Sequence, residues 1–268
     1  MTQSTADFAG WSADAYLQHY YGAVEVDEAA TLHFLAKELA LIGPVGTALE
    51  FGSGPTLHHV LPLAPYADAI DMADPLRENL AAVRRWIAGR SDAHDWRAFT
   101  RHVLACEGRP VGGEAVRTRE ALTRRRVRRL LHGDAAAARP LGTVGLRYYD
   151  IVLSCFCADS ATGNKATWAR YLRRIGELVM PGGRLLLASL RRCRAYRVGE
   201  RSFPSADVDE TDIASRLREI GFDGPSLRIE VEGVPLQHRL GYNGIVLASA
   251  TRRPRRMRMA HADVPSPG

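Results

Sequence analysis

The sequence predicts an α/β protein, a mostly parallel, Rossmann-like sheet with helices on both faces. Three observations carry that expectation. Short apolar runs alternate with amphipathic stretches through most of the 268 residues. The first run, residues 47–51, feeds straight into Gly52-Ser53-Gly54. An acid, Asp74, closes the second run about 20 residues after Gly54, the spacing at which a carboxylate meets ribose hydroxyls.

Residues 1–26 carry Trp11, Tyr16, Tyr20 and Tyr21 and are too aromatic for a free tail. Tyr16 and Tyr20 are four apart and share one face if the segment is helical. A helix from about residue 27 puts Leu32, Leu35, Leu39 and Ile42 on one stripe and stops at Gly43-Pro44. Residues 47–51 and 67–72 are the first two strands, the second ending near Asp74, with a helix over 76–87. A short strand over 128–131 leads to Asp134, and residues 149–154 form the fourth strand. Trp168, Leu172, Ile175 and Val179 mark a helix stopped by Pro181-Gly182-Gly183, ahead of a strand over 184–190. Ile213, Leu217 and Ile220 mark the last helix, ended by Gly221. Residues 227–231 and 244–250 have no helix between them and are expected to pair antiparallel at one edge, completing seven strands. Residues 107–127 read as an insertion over the sheet rather than a second domain, and the whole of 1–268 reads as one domain.

Apolar residues make up 46% and charged residues 25%, as in soluble globular chains. No apolar run approaches the ~20 residues of a membrane helix, and no signal peptide opens the chain. A cytoplasmic protein without a membrane partner, monomeric or weakly dimeric, is expected. Cys106, Cys155, Cys157 and Cys193 form neither a C-x-x-C pair nor a spaced ligand set. They read as packing residues, and no metal is expected. The net charge of +6 is concentrated in Arg124–Arg129 and in a tail over 252–268, expected to be disordered. Neither cluster interleaves aromatic residues as a single-strand binder would, so nucleic acid is disfavoured as a partner.

The glycine turn lets backbone approach a ligand at the carboxyl end of the first strand. Leu57 stands where a dinucleotide fingerprint has its third glycine, and Pro55 interrupts the helix start that would wrap a pyrophosphate. A nucleoside-type ligand without phosphates fits better. Asp74 either receives ribose hydroxyls or caps the helix that follows Pro75, and both are compatible. Asp134 is placed to accept an adenine amino group. Asp159, beyond the fourth strand, is either beside the reacting end of the ligand or a helix cap.

Three blocks give the chain its resemblance to the nicotinamide/phenylethanolamine/thioether N-methyltransferases: Tyr16-Leu17-Gln18-His19-Tyr20-Tyr21; Gly52-Ser53-Gly54-Pro55-Thr56; and, in order, Asp95-Trp96, Pro181-Gly182-Gly183 and Gly199-Glu200. The resemblance implies a class I methyltransferase fold, S-adenosylmethionine as cofactor, and N-methylation of an amine or nitrogen heterocycle. Tyr21, Ser53 and Cys155 would then sit at the methionine end of the cofactor, with Gly52 and Gly54 shaping the turn beside Thr56. Asp74 and Asn79 would hold the adenosine end, with Asp134 and Ala135 flanking adenine. Tyr16 and Tyr20, on an N-terminal helical lid over residues 1–26, would close over the acceptor and position it, with Asp159, Tyr196 and Ser205 on the acceptor side. Ser189 stands where nicotinamide methyltransferases place an acid, which counts against nicotinamide. Arg191, Arg192 and Arg194 follow it and either hold an acceptor carboxylate as a fork or face solvent.

Methyl transfer from a sulfonium asks the protein chiefly for alignment, worth about 7–11 kcal/mol in well-oriented cases. A nitrogen lone pair needs no strong base; an oxygen or carbon acceptor does, and His19, His58 and His59 are the nearest candidates, each otherwise structural. O- or C-methylation of a metabolite on the same fold stays open, as does nucleic-acid methylation. The latter is disfavoured by the lack of an Asn-Pro-Pro-Tyr-type site after the fourth strand.

Overall fold

The computed structural model describes residues 8, 10–145 and 148–254. Five parallel strands form the body of one sheet: β1 (Val45–Phe51), β2 (Ala67–Asp74), β3 (Val127–His132), β4 (Tyr149–Cys155) and β5 (Val179–Leu190). A separate two-stranded hairpin, β6 (Ala195–Val198) and β7 (Arg201–Pro204), follows β5. The last strands, β8 (Arg228–Gly233) and β9 (Gly244–Thr251), complete a seven-stranded sheet in the order β3-β2-β1-β4-β5-β9-β8. The last two strands, β8 and β9, pair antiparallel at that edge as expected, and β9 is also antiparallel to β5.

The central strands are buried on both faces, so their apolar runs are nearly continuous. Ile151, Leu153 and Leu186 point into one core. Val152, Leu185 and Leu187 point into the other. The first core is closed by α2 (Val26–Ile42), α3 (Val60–Leu63), α4 (Arg77–Ile87) and α5 (Arg97–Cys106), through Leu32, Leu35, Val60, Val83 and Phe99. The second is closed by α7 (Lys165–Gly176) and α8 (Glu210–Glu219), through Trp168, Leu172, Ile213 and Leu217. Helix α1 (Ala13–Tyr20) is capped by Ser12, whose side chain accepts the Ala15 N–H.

Two boundaries differ from expectation. Residues 113–126 of the expected insertion form α6 (Gly113–Arg126), which runs directly into β3 and belongs to the crossover between β2 and β3. The buried Arg119 fastens it, pairing at 2.8 Å with Glu107. Helix α7 ends at Gly176, and Val179 opens β5 instead of closing the helix. Pro181-Gly182-Gly183 therefore lies inside the strand. The register shifts there between Tyr149 and Ile151, and a Cβ on Gly183 would stand 2.7 Å from Asp150 O. Glycine is what lets the two strands pass that closely. The start of the expected tail is also held: Arg252 bonds backbone to backbone with Gly182 and Gly183. Residues 255–268 lie outside the described residues.

Candidate active site

Strand β1 is followed by Gly52, whose φ of 77° and contact with Cys157 admit no side chain: an added Cβ would lie 2.2 Å from Cys157 Sγ. The N–H groups of Gly52 and Ser53 both donate to Ala73 O, at 2.8 and 3.1 Å, docking the turn on the end of β2. Thr56 Oγ1 donates to Ser53 O at 2.7 Å, and Ser53 Oγ to Gly54 O at 3.1 Å. The turn is thus fixed by its own hydroxyls.

Asp74 is 4% exposed and accepts three hydrogen bonds. Gly54 N donates to Oδ2 at 2.8 Å, and Leu76 N and Asn79 Nδ2 each donate to Oδ1 at 2.9 Å. Burial raises the carboxyl above its usual range, against the pull of those bonds. It therefore secures the start of α4 while facing the cleft, and about one of its four lone-pair sites remains for a ligand. Gly54 has φ 59°, and a Cβ there would meet nothing within 4 Å. Open backbone beside a buried carboxylate fits a ribose. The cleft over these groups, of about 140 Å³, is also lined by Tyr21, Asn79 and Cys155, expected at the cofactor, by Tyr16, expected over the acceptor, and by Trp11 and His59. Trp11 Nε1 donates to Asn79 Oδ1 at 2.8 Å.

A second, smaller chamber of about 50 Å³ adjoins it, sharing Tyr16, Tyr21, Phe156 and Ser160. Tyr20, Tyr196 and Tyr242 wall it, and Asp27 and Glu28 line it as well. The Tyr16 and Tyr20 rings lie 5.1 Å apart, and Tyr20 donates its hydroxyl to Arg197 O at 2.5 Å. Asp27 accepts from Tyr242 at 2.6 Å and from Gln237 at 2.9 Å. Burial, and then the neighbouring Glu28, raise the Asp27 carboxyl. Burial pushes Glu28 up to about 7 against the charge of His59 and a hydrogen bond from Tyr21.

Behind Glu28, His58 Nε2 lies 2.6 Å from Glu28 Oε2 without hydrogen-bond alignment, and His59 Nδ1 lies 2.9 Å from Glu50 Oε1. One donor atom each from Glu28, His58 and His59 falls within 4.8 Å of the others, a grouping the sequence did not lead us to expect. Burial holds His58 down to about 3, so it is neutral.

Other expected residues are not brought to these spaces. Asp134 and Ala135 follow β3 at the same end of the sheet but do not line the cleft; Asp134 instead accepts the Ala136 N–H at 2.7 Å. Asp159 is buried one residue behind the lining Ser160, with Oδ2 accepting the Leu190 N–H at 2.9 Å. It caps no helix, since Asn164 caps α7. Ser189, on β5, and Ser205 are buried and line neither space. Arg191, Arg192 and Arg194 pair with Glu210, Asp209 and Asp207, which removes the carboxylate fork. Sequence reasoning missed Asp27, Glu28 and Tyr242. Two acids in the first turn of a helix look like ordinary dipole partners, and Tyr242 is remote in the chain.

A model of the NNMT/PNMT/TEMT family matches residues 1–253. Nicotinamide N-methyltransferase of Homo sapiens is 31% identical over 214 residues, covering 77% of this chain and 80% of that protein. Phenylethanolamine N-methyltransferase of Sus scrofa is 30% identical over 252 residues, covering 89% and 87%. Among solved structures, the N-methyltransferase NodS from Bradyrhizobium japonicum WM9, in complex with S-adenosyl-L-homocysteine, superposes with a TM-score of 0.54 at 13% identity, over 90% of this chain and 97% of that one. That likeness is one of fold, whereas the sequence match runs through the tyrosine pair, the glycine turn and the strands that carry them. The chain belongs to the NNMT/PNMT/TEMT family.

Proposed function

We propose that this S-adenosylmethionine-dependent methyltransferase methylates the nitrogen of a small amine that is cationic in water. The observation that carries the amine reading is the pair Asp27 and Glu28, buried in a chamber walled by Tyr16, Tyr20, Tyr196 and Tyr242. Buried carboxylates are costly without a cation, and an ammonium entering the chamber would supply one. Tyrosine faces add about 0.5–2 kcal/mol for a desolvated cation. The chamber volume of about 50 Å³ matches a small amino head group rather than a polymer.

When bound, S-adenosylmethionine supplies a methyl group on a sulfonium, an activated donor that needs alignment more than chemical assistance. In this reading Gly54, Asp74 and Asn79 hold its adenosine end, and Tyr21, Ser53 and Cys155 its amino-acid end. Tyr16, shared by both spaces, keeps the nitrogen facing the methyl and excludes water. A pocket of about 390 Å³ on the far side of Tyr20, also lined by Asp27, Glu28 and Gln237, offers the acceptor a route from solvent. The three arginines after Ser189 play no part.

The test is a panel of small primary and secondary amines, neutral azaheterocycles and phenols, followed by mass spectrometry. Methylated amines, with KM raised tenfold or more by Asp27→Asn, are the expected result. Turnover confined to azaheterocycles or phenols would overturn the amine reading and leave the methyltransferase intact.

A further inference from the structure

We propose that Glu28 is the catalytic general base, taking the proton from the acceptor's ammonium group, and that His58, His59 and Glu50 form the buried cluster that supports it. The inference rests on the amine reading above. An ammonium nitrogen has no lone pair, so an N–H bond must break before a methyl group can be received. An amine with the proton affinity of a lysine side chain, pKa about 10.4, is almost wholly charged at neutral pH. Alignment of the nitrogen is then insufficient by itself.

Glu28 lines the chamber, and its side chain is 6% exposed. Behind it stand five buried atoms without a hydrogen-bond partner: Glu28 Oε2, His58 Nδ1 and Nε2, His59 Nε2 and Glu50 Oε2. Native proteins leave only a few such atoms per hundred residues, and their concentration in one cluster calls for a functional explanation. A proton arriving on Glu28 Oε2 provides one. The neutral His58 ring, 2.6 Å away at Nε2, then gains a donor, and protonated Glu28 gains an acceptor. His59, held to Glu50, sits against His58 with ring centroids 3.7 Å apart. Trp96 stacks on His58 at 5.5 Å. The two imidazoles are therefore packed against each other and against an indole.

The two adjacent acids divide the work. Asp27 is fixed by hydrogen bonds from Tyr242 and Gln237, which favour its ionised form, and serves as counter-charge. Glu28, raised toward neutrality by burial, is the one matched to proton transfer near pH 7. Titratable groups near Glu28 are Tyr16 from α1, Tyr21 just after it, His58 and His59, Cys155 from β4, and Tyr242. Tyr20 and Tyr196 stand across the chamber, and His19, Glu25, Arg197 and Arg239 on the outer pocket. Burial keeps the tyrosines and the thiol protonated. In the step itself the ammonium N–H bond breaks, its electron pair stays on nitrogen, and an O–H bond forms on Glu28. The nitrogen then accepts the methyl as the sulfur recovers the C–S electron pair. Product leaves as a methylated ammonium, and Glu28 returns its proton to water.

The experiment is steady-state kinetics from pH 5.5 to 10 on wild type, Glu28→Gln, Glu28→Asp and His58→Phe, with an amine that the wild type methylates and a neutral pyridine-type acceptor. Isothermal titration with S-adenosylhomocysteine checks that the site is intact. Glu28→Gln should lower kcat for the amine about 100-fold or more at pH 7 with KM little changed. Its deficit should shrink as pH approaches the amine's own pKa, and Glu28→Asp should restore part of the rate. His58→Phe should displace the acid limb of the profile. S-adenosylhomocysteine affinity should stay close to wild type, and turnover of the pyridine-type acceptor should fall at least about tenfold less than that of the amine. An unchanged pH profile in Glu28→Gln, or equal loss with both acceptors, would overturn the proposal. So would tight Zn²⁺ binding that His58→Phe abolishes. A wild type that methylates no amine fails the amine reading first, and this inference with it.

Discussion

At the scale of single residues, the cleft is built from groups that each have two tasks. Asp74 secures the turn and the start of α4 through three hydrogen bonds and still presents an acceptor to the cleft. Asp74→Ala is expected to weaken S-adenosylhomocysteine binding tenfold or more by isothermal titration, the scale of a lost bond to a charged group. Unchanged affinity would refute the placement of the ribose. Gly52 is constrained twice, by its φ of 77° and by Cys157. Gly52→Ala should destabilise the protein by about 1–3 kcal/mol in thermal or urea unfolding, and adding Cys157→Ala should recover only the part owed to the clash. Gly52, Gly54 and Asp74 were legible in the sequence because turn chemistry and strand-end spacing are local. Asp27 and Glu28 were not, because only burial beneath the tyrosines distinguishes them from ordinary helix-start acids.

At the scale of elements, α1 acts as a strap. Its start is held to α4, with Glu78 accepting the Ala13 N–H at 3.1 Å and Arg85 pairing with Asp14. Its end is hydrogen-bonded to the β6–β7 hairpin through Tyr20, which donates to Arg197 O. Tyr20→Phe removes that hold and should cost about 1 kcal/mol of closure, seen as roughly fivefold lower turnover and faster hydrogen exchange in α1 and residues 195–204. Cofactor affinity should be preserved, since Tyr20 does not line the larger cleft. A wild-type exchange pattern would show that the strap is held elsewhere. The hairpin and α5 have no counterpart in the sequence reading. Four-residue strands carry too little periodicity to register, and residues 97–106 follow a turn-rich stretch that masks the start of a helix.

At the scale of the whole molecule, three of the five arginines in 124–129 are spent on structure. Arg124 lies 3.9 Å over the Trp86 ring, while Arg126 and Arg129 pair with Asp68 and Asp71. A charge count had left that segment as a solvated face or a nucleic-acid surface. Among the described residues no helix is long and apolar enough to cross a membrane.

The buried Glu28–His58 contact also predicts how stability varies with pH. His58 is depressed from 6.5 to about 3, so its contribution is complete above pH 6.5 and is lost as pH falls through 3. Glu28 is raised from 4.5 to about 7, so its contribution is complete below pH 4.5 and is lost as pH rises through 7. His58→Phe should therefore flatten the melting temperature between pH 6.5 and 3, and Glu28→Gln between 4.5 and 7. Identical profiles in both variants would mean that the cluster does not titrate with folding.

The sequence by itself determined the α/β class, most strands and helices, the glycine turn and the family. Each of these is written in local periodicity, turn chemistry or contiguous motif. The tertiary structure decided which charged groups meet. It paired Arg191, Arg192 and Arg194 with acids of the loop before α8 and its first turn, set Asp134 and Asp159 back from the open space, and enclosed Asp27 and Glu28 beneath tyrosines from both ends of the chain. The physical reason is that proximity and dielectric belong to the packed chain: the same carboxylate is a surface charge in water and a cation site or a base once its neighbours have excluded the solvent.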